Sequence, residues 1–380
     1  MNGKTLLVLC IFAVVSAVDA APGAQADRPR AFPEAVGWAA YTPGGRGGRI
    51  LCVTNLQADG PGSLAEALRT PGPRIVVFEV GGVIDLGGRS LRIGEPFLTI
   101  AGQTAPSPGI TLIRGGLGIS THDVIVRHLR VRSGEAGRAK QSGWEVDALA
   151  TTSAYNVIVD HCSCTWATDE NLSASGPRFE GADVEQWRQG TSRTVTFSHC
   201  IIAEGLSRST HGKGEHSKGT LIHDNCTEIA LIGNLYAHNR ERNPLFKGGA
   251  RGAVVNNYIY DPGVRAMHYA LVPSEWGEHP YVVGQMVIVG NVLEPGPSTA
   301  GTISLFRHHR GGPSEVFLSD NLILNARGVT PLLEIDSRAA PGECRVVRQQ
   351  PFWPPELTAL PAAEVKNHVL ANAGARPWDR

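Results

Sequence analysis

Short runs of apolar residues, rich in valine and isoleucine, recur along most of the chain and are separated by turn-forming residues. The runs occupy residues 75–80, 98–103, 124–129, 157–162, 195–200, 229–234, 253–257, 287–291 and 316–321. Apolar runs of this length between glycines and prolines predict β-strands. Their last residues are about 23 to 38 positions apart, a period typical of a solenoid in which each coil packs on the next. The pattern therefore predicts an all-β protein.

Four of the runs end in asparagine, at Asn234, Asn257, Asn291 and Asn321. Asparagine tolerates the left-handed backbone of a bend. Stacked asparagine side chains can also hydrogen-bond across the ~4.8 Å that separates neighbouring strands. We interpret the four residues as an asparagine ladder inside a parallel β-helix.

Two cysteines, Cys162 and Cys200, stand at the same register as these asparagines and are expected in the same interior stack. A disulfide is geometrically allowed at strand spacing, and a pair of buried thiols is equally compatible. A thiolate metal site that includes Cys164 is a third interpretation. His161 and His199 precede the two cysteines and are interpreted as ladder or surface histidines.

Helical signals are confined to the two ends of the solenoid. Residues 60–72 contain Ser63 followed three positions later by Glu66, a capping pattern that predicts a short helix over the open first coil. Residues 362–375 have helical spacing and a glycine stop. Between them, residues 338–361 carry five prolines and are expected to form a loop along the body.

The first twenty residues have the features of a secretory signal peptide, with an apolar run at 6–18 that is too short for the ~20 residues a membrane span needs. We expect residues 1–20 to be removed and the protein to be secreted, either outside the cell or into the periplasm. Residues 21–380 then form one domain, with coils at about 50–330 and a tail at 331–380 packed on them. No later stretch is apolar enough to predict a membrane span.

Charge is balanced over the whole chain, with 35 basic and 35 acidic residues. Binding to phosphate backbones normally requires a basic excess, so nucleic acid is excluded as the main partner. Because the net charge is zero, charged side chains must act locally.

The 45 glycines and 25 prolines interrupt the chain too often for long helices.

One such local group lies in residues 238–249, where Arg240, Arg242 and Lys247 surround Pro244. Proline restricts the residue before it to an extended backbone and cannot donate to a strand ladder, so this segment is expected to be a rigid exposed turn. Cations at this density usually face an anion, which can be a carboxylate or a phosphate.

Acidic residues lie on or beside two long excursions from the coil pattern, residues 132–147 and 173–190. Glu145, Asp147 and Asp169 leave successive coils, and converging carboxylates are what Ca²⁺ requires. A pair of catalytic carboxylic acids of the glycosidase kind and solvated loop charge are the alternatives.

Lys213 and Arg242 leave comparable corners of consecutive coils, and the acids leave the same side one and two coils earlier. Stacked coils therefore place acids at one end of a groove and bases further along it. Such a groove suits a polyanionic polymer bound together with a metal ion.

Several long, ordered motifs resemble the secreted pectate lyase family, particularly its pectate trisaccharide-lyase-like bacterial branch, over roughly residues 31 to 330. They lie at residues 31–48, 53–68, 98–112, 157–173 and 236–246. The resemblance implies a single-domain, right-handed parallel β-helix that cleaves de-esterified polygalacturonate by Ca²⁺-assisted β-elimination to 4,5-unsaturated oligogalacturonides. A monomer is expected.

The resemblance also implies metal-binding roles for individual residues. Asp147 and Asp169 resemble Ca²⁺ ligands of the family, and Glu145 stands where a second acid is often found. Ser173 departs from the pattern, because some relatives have an aspartate there.

For the basic residues, the resemblance implies that Arg242 abstracts the proton and that Lys247 and Lys213 contact the substrate. Arg240 is interpreted as a further substrate contact or as a supporting residue that forms a salt bridge with Glu241 or a loop acid. An arginine base needs neighbours and desolvation that lower its pKa. A glycan hydrolase on the same fold and a non-catalytic polyuronate-binding protein are the alternative functions.

Overall fold

The computed structural model describes residues 28–325, 330–376 and 378. The signal peptide predicted at residues 1–20 lies outside the described residues. In the described part, the chain winds into a coil whose strands form three sheets, here called A, B and C, and neighbouring strands within each sheet run parallel. The all-β, right-handed parallel β-helix that the sequence predicts is confirmed.

The strands of sheet A are Arg49–Val53, Arg74–Phe78, Leu98–Ala101, His122–Arg127, Tyr155–Asp160, Arg193–Ser198, Thr227–Ile232, Arg251–Val255, Gly284–Val289, Ser314–Ser319 and Cys344–Val346. The strands of sheet B are Gly82–Asp85, Ile110–Ile113, Leu129–Arg132, Ser163–Thr165, Ile201–Ala203, Leu235–Ala237, Tyr258–Tyr260, Val292–Glu294 and Leu322–Ile323. The strands of sheet C are Leu91–Ile93, Leu117–Ile119, Leu149–Thr152, Glu170–Ser175, Lys218–Ile222, Leu245–Lys247, Met267–Ala270, Phe306–Arg310 and Leu333–Ile335.

The core consists of apolar side chains that stack along the axis of the coil. Val124, Val157, Val195 and Ile229 share one register on successive strands of sheet A, and all four are fully buried. Alternate residues of a strand point to the same side, so each apolar run contributes two or three side chains to these stacks. Each coil buries its apolar side chains against its two neighbours, and this burial is the main stabilising contribution.

The predicted asparagine ladder is present at the corner where sheet A leads into sheet B. The side-chain amide of Asn234 donates to Oδ1 of Asn257 at 2.9 Å, Asn257 donates to Asn291 at 3.0 Å, and Asn291 donates to Asn321 at 3.1 Å. Oδ1 of Asn234 in turn accepts the backbone N–H of Cys200 at 2.8 Å. Each buried amide thus has a partner on the next coil, and this pairing holds the register of the coils.

The cysteines in the ladder are free thiols, as are the others that the structure describes. Cys162, Cys164, Cys200 and Cys226 are buried in the apolar core. Of the three interpretations that the sequence left open, the structure therefore has the buried thiols.

Four α-helices and one 3-10 helix accompany the coil in the described residues. The α-helices are α1 (Leu64–Arg69), α2 (Val184–Gly190), α3 (Pro273–Trp276) and α4 (Ala362–Asn372), and the 3-10 helix is Gly102–Thr104. Helix α1 is capped as predicted, because Ser63 Oγ accepts the N–H of Glu66 at 3.2 Å. Helix α4 is the predicted C-terminal helix, and its Val365 and Val369 pack against sheet B. In the described ranges, no helix combines the length and apolarity needed to cross a membrane.

One expectation about the C-terminal region was wrong. The stretch expected to be a loop, residues 338–361, contains the strand Cys344–Val346, which pairs with Ser314–Ser319 and adds an eleventh strand to sheet A. Its prolines lie outside this three-residue segment, which leaves the backbone free to join the ladder.

Candidate functional site

The charged residues singled out from the sequence converge where the chain passes from sheet B to sheet C, here called the B–C corner. Four consecutive coils cross this corner through residues 133–148, 166–169, 204–217 and 238–244. Asp147, Asp169, Lys213 and Arg242 each lie on a different one of these four crossings. The coil stacking thus assembles residues that are far apart in the chain.

A second asparagine ladder, which the sequence did not predict, fixes this corner. Asn171 donates to Oδ1 of Asn239 at 3.0 Å, and Asn239 donates to Oδ1 of Asn243 at 3.1 Å. All three are buried. Because Asn171 follows Glu170 and Asn243 follows Arg242, the ladder fixes the backbone positions of both charged residues.

Three carboxylates form a cluster at the corner. One ligand atom each from Asp147, Asp169 and Glu170 lies within 4.8 Å of the others. Asp147 Oδ1 accepts the backbone N–H of Glu170 at 3.0 Å, and its Oδ2 accepts the hydroxyl of Ser173. The structure thus brings the two predicted aspartates together and adds Glu170, which the sequence analysis did not assign as a ligand.

The environment separates the pKa values of the two aspartates. Burial and the neighbouring charge of Asp169 raise the pKa of Asp147 to about 7. Burial also opposes ionisation of Asp169, but the hydrogen bond from His216 and the nearby cationic groups outweigh it and lower the pKa of Asp169. Asp169 therefore ionises more readily, and its negative charge disfavours ionisation of Asp147, as expected for acids that share a site.

Two histidines, also missed from the sequence, support Asp169. Nε2 of His216 lies 2.7 Å from Asp169 Oδ1, Nε2 of His211 lies 3.5 Å from it, and the two rings stack 3.6 Å apart. Glu145 lies on their other side, where its Oε1 accepts the N–H of Gly212 at 3.1 Å. Glu145 therefore contacts residues 211–216, here called the histidine loop, and is not part of the three-carboxylate cluster. Its role as a ligand stays a prediction.

Arg242 is directed at the cluster. Its backbone has a φ of 65°, and the peptide bond between Asn243 and Pro244 is cis. Nη1 donates to Oε1 of Glu170, and 22% of the side chain is exposed. Burial lowers the pKa of Arg242, and the positive charge of Arg265 acts in the same direction, whereas Asp169 and Asp147 oppose the shift.

Lys218 is a further basic residue of the corner that the sequence analysis missed. It begins a strand of sheet C and pairs in register with Glu170 on one side, while on the other it forms a parallel bridge with Glu241. Its Nζ donates to Glu241, which also binds Arg265. Its position at the start of a strand gave no distinctive local signal in the sequence.

The three basic residues predicted to contact substrate occupy different environments. Lys247 is 7% exposed, and its Nζ pairs with Asp224 at 3.2 Å and with Glu275. Arg240 is half-exposed and pairs with Glu215 at 3.3 Å. Lys213 is exposed on the histidine loop. Their contacts with a substrate stay predictions.

The donor set at the corner fits a hard cation. Three carboxylates offer only oxygen atoms, which Ca²⁺ prefers. The like charge of Asp169 raises the pKa of Asp147, and a bound cation would stabilise the ionised form of that carboxyl. The site includes groups able to hold a metal ion, with Asp147, Asp169 and Glu170 as its donors.

The fold and the corner define a class of protein: a parallel β-helix that gathers carboxylates, an arginine and a lysine at one corner of its coils. No family model matches the chain. A probable pectate lyase C of Aspergillus flavus is 36% identical over 279 residues, which are 72% of this chain and 56% of that one. The corresponding protein of Aspergillus oryzae is 39% identical over 234 residues, 61% of this chain and 48% of that one. The chain therefore spans about half the length of the curated relatives it matches.

Solved structures share the fold. A pectate lyase studied for its anti β-elimination mechanism superposes with a TM-score of 0.60 at 15% identity, covering 92% of this chain and 99% of that one. A variant Bacillus subtilis pectate lyase gives 0.59 at 15% identity, covering 93% and 99%. These structures show that the chain shares the fold of pectate lyases, and the 36% identity to a curated relative confirms the resemblance that its motifs carry. Its assignment to a bacterial branch stays a prediction.

Proposed function

We propose that this protein is a pectate lyase that cleaves de-esterified polygalacturonate by β-elimination, with Ca²⁺ at the carboxylate cluster and Arg242 as the base. The observation that carries the proposal is the position of Arg242, whose largely buried guanidinium contacts Glu170 beside Asp147 and Asp169. The homology to pectate lyases supports the same chemistry.

Abstraction of the proton α to a uronate carboxylate develops negative charge on that carboxylate, and the bond to the oxygen in the β position then breaks. When bound, Ca²⁺ supplies Lewis-acid stabilisation of this charge. The residues of this chain that would hold it are Asp147, Asp169 and Glu170, because their oxygens already converge.

Arg242 needs help to act as a base, because the ordinary pKa of arginine is above 12. Burial and the nearby Arg265 both lower the pKa of Arg242, and so reduce the free energy of deprotonation. The ion pair with Glu170 and the buried Asn243 position the guanidinium within the corner.

Basic residues along the groove bind further carboxylates of the polymer. Lys218 lies in the coil between Glu170 and Arg242, but it is buried and paired with Glu241, so it pairs with the reacting uronate only if it gives up that contact. Exposed Lys213 and half-exposed Arg240 are placed to contact neighbouring sugars. Lys247 serves the substrate only if it gives up a contact with Asp224 or Glu275.

The test is incubation of the full chain with polygalacturonate in the presence of Ca²⁺ or of a chelator, followed by ultraviolet absorbance. We expect 4,5-unsaturated oligogalacturonides with Ca²⁺ only. Full activity of the Arg242→Ala variant would overturn the assignment of the base.

A glycan hydrolase is the second candidate, favoured by the raised pKa of Asp147 beside the lowered pKa of Asp169. Carboxyl groups with separated pKa values are the usual acid and base of such enzymes. A hydrolase releases reducing ends without the absorbing double bond. Binding of polygalacturonate without either product would instead identify a non-catalytic polyuronate-binding protein.

We also propose that the protein is exported through the signal peptide at residues 1–20 and acts as a monomer. The polymeric substrate is too large to enter a cell, which supports export of the protein. N-terminal sequencing of the mature protein and light scattering test these two statements.

A further inference from the structure

A second cluster of charged side chains lies where sheet C leads into sheet A, at the other end of the sheet C strands from the B–C corner. Four successive coils each contribute one residue to it: Arg178, Asp224, Lys247 and Glu275. Asp224 Oδ2 lies 3.2 Å from Nε of Arg178 and 3.2 Å from Nζ of Lys247. Glu275 Oε2 also binds both cations, with Nη2 of Arg178 at 3.0 Å. We call these four residues the C–A charge cluster.

The two carboxylates of the C–A charge cluster are held differently. Asp224 is fully buried, and its Oδ1 accepts the indole N–H of Trp276 at 2.8 Å. Burial opposes ionisation of Asp224, but His223 and Lys247 outweigh burial and lower its pKa to about 2. The side chain of Glu275, by contrast, is 35% exposed. Asp224 is therefore a fixed anion, whereas Glu275 lies at the surface of the cluster.

The backbone of Glu275 is held independently of its side chain. Helix α3 packs through Trp276, which is fully buried, and the N–H of Glu275 donates to the carbonyl of Val272 at 2.9 Å. Exposed side chains change rotamer much faster than loops or helices rearrange. Release of the Glu275 carboxylate therefore needs only a rotamer change and leaves the fold intact.

The charges of the cluster balance only while Glu275 is in place. Arg178 and Lys247 are both cationic, and Asp224 neutralises only one of them. Glu275 neutralises the other. Movement of Glu275 into solvent would leave a partly buried positive charge uncompensated, which is unfavourable unless another anion takes its place. The cluster is therefore preorganised to exchange one carboxylate for another.

The exposed side of the cluster faces a hollow of about 500 Å³, whose lining includes Thr152, Ser175, Arg178 and Glu275. Volumes of ~300–1,000 Å³ are usual for sites that bind small molecules. The hydroxyls of Thr152 and Ser175 can donate to or accept from the hydroxyls of a sugar. The hollow thus offers both a charged and a neutral set of partners to a sugar acid.

The hollow lies within reach of the B–C corner. The strand Glu170–Ser175 begins at the three-carboxylate cluster and ends at the lining of the hollow, a length of roughly 17 Å. Burial lowers the pKa of Arg242, and the negative charge of Glu275 is among the charges that oppose this shift. The two sites therefore affect each other electrostatically, and an extended polymer that lies over sheet C contacts both.

We propose that Arg178 and Lys247 form a subsite for the carboxylate of a non-reacting uronate sugar, and that Glu275 occupies this subsite until the substrate displaces it. This inference rests on the proposed action on polygalacturonate and adds a second determinant of its specificity. Methyl esterification removes the negative charge of the sugar, so an esterified sugar has no charge to exchange for that of Glu275. The subsite therefore discriminates against esterified polymer.

Calorimetric titration of the full chain with trigalacturonate in excess Ca²⁺ tests the proposal. The parent protein is the Arg242→Ala variant, which prevents turnover, and further substitutions are made in it. Arg178→Gln should weaken binding by at least ~10-fold, because a charged hydrogen-bond donor is lost. Glu275→Gln should strengthen binding by ~3- to 10-fold, because no competing charge has to be displaced. An ion pair with a purely structural role would not shift the affinity in opposite directions.

The matched controls are Arg345→Gln and Glu315→Gln, which break an ion pair of the same kind on sheet A. Neither should change the dissociation constant. Arg178→Lys retains the positive charge and should bind more tightly than Arg178→Gln. Fully methyl-esterified trigalacturonate should bind the Arg178→Gln and Glu275→Gln proteins with the same affinity as the parent.

Unchanged or weaker binding by the Glu275→Gln protein would overturn the proposal, and so would equal effects on the free acid and on its ester. Because Glu275 is partly exposed, its variant should fold and decides the question even if Arg178→Gln does not fold. If trigalacturonate binds none of these proteins, the proposed function fails together with this inference. Binding that neither substitution alters would overturn this inference alone.

Discussion

Arg242 donates from Nη1 to Oε1 of Glu170, although the two residues are 72 positions apart in the chain. The strand Lys218–Ile222 lies between the strands that these residues precede or begin, so the arginine side chain reaches across an intervening coil. The side chain of Arg242 is 22% exposed, and the contact brings its charge to the three-carboxylate cluster. This relationship joins the proposed base to the proposed metal donors.

Replacement of Arg242 should sharply reduce lyase activity, and it should also lower stability because Glu170 is then buried without this ion-pair partner. We expect Arg242→Ala to lower kcat by ~10²- to 10⁴-fold, the usual contribution of a positioned base, as measured by the ultraviolet absorbance of the products. Arg242→Lys should not restore the rate, because lysine lacks the planar fork. Arg345→Ala is the control, since it breaks an exposed pair with Glu315 on sheet A. Equal rate losses in the Arg345 and Arg242 variants would contradict the assignment.

The raised pKa of Asp147 predicts a distinctive dependence of stability on pH. The folded-state pKa of about 7 lies above the ordinary 3.8, so the folded protein retains a proton that the unfolded chain has lost. This group's stabilisation is complete below pH 4 and is lost as the pH rises through 7.

In chelator, the Asp147→Asn variant should therefore melt at the same temperature as the unmodified protein at pH 4. At pH 8 it should melt roughly a few degrees higher. Ca²⁺ should raise the melting temperature of the unmodified protein and have little effect on the variant. Asp59→Asn, which changes an exposed carboxylate paired with Arg69, should show no such divergence. A constant difference between pH 4 and pH 8 would contradict the raised pKa.

Because Lys247 forms buried ion pairs, its replacement should lower the stability of the folded protein. Lys247→Met leaves Asp224 with less compensation in a fully buried position, where Arg178 remains 3.2 Å away. We expect the free energy of unfolding in urea to fall by about 3 kcal/mol.

The double variant Asp224→Asn/Lys247→Met should recover most of this loss, because neither charge is then buried alone. Comparison of KM between the double variant and Asp224→Asn isolates any contribution of Lys247 to substrate binding. If Lys247→Met lowers substrate affinity without changing stability, the ion pairs are not structural.

Two residues of the first asparagine ladder, Asn257 and Asn321, differ in burial and can be compared as matched alanine variants. Asn257→Ala removes hydrogen bonds to Asn291 and to the buried carbonyls of Leu231 and Val255. Unsatisfied buried groups cost ~1–3 kcal/mol each, so the loss of stability should reach roughly 3 kcal/mol. Asn321, at the end of the ladder, is partly exposed and water can replace it. Asn321→Ala should cost about 1 kcal/mol, and equal losses in chemical denaturation would argue against a cooperative ladder.

Much of this architecture was predictable because a solenoid repeats a local pattern. The apolar runs that end at Cys200 and Asn234 identify strands and their register, since each coil contacts only its two neighbours. The capped helix α1 follows from Ser63 and Glu66 for the same local reason. The strand Cys344–Val346 was missed because it is short and lies among prolines.

The functional site was predictable in part. Arg242, Asp147 and Asp169 stand in recognisable motifs, and the structure brings all three to one corner. Glu170 was not assigned a role and Lys218 was missed, because each sits at the start of a strand. A charged residue in that position has no distinctive local pattern.

The sequence by itself determined the strand period, the interior ladder and the segments that carry charge, because these depend on residues that are near one another or that recur at fixed register. The tertiary structure alone decided which charges meet. Glu170 pairs with Arg242, Lys247 pairs with Asp224, and Asp160 supports His161. The number of residues in each crossing and the stacking of coils set these distances, and electrostatic interactions depend on distance and burial rather than on chain order.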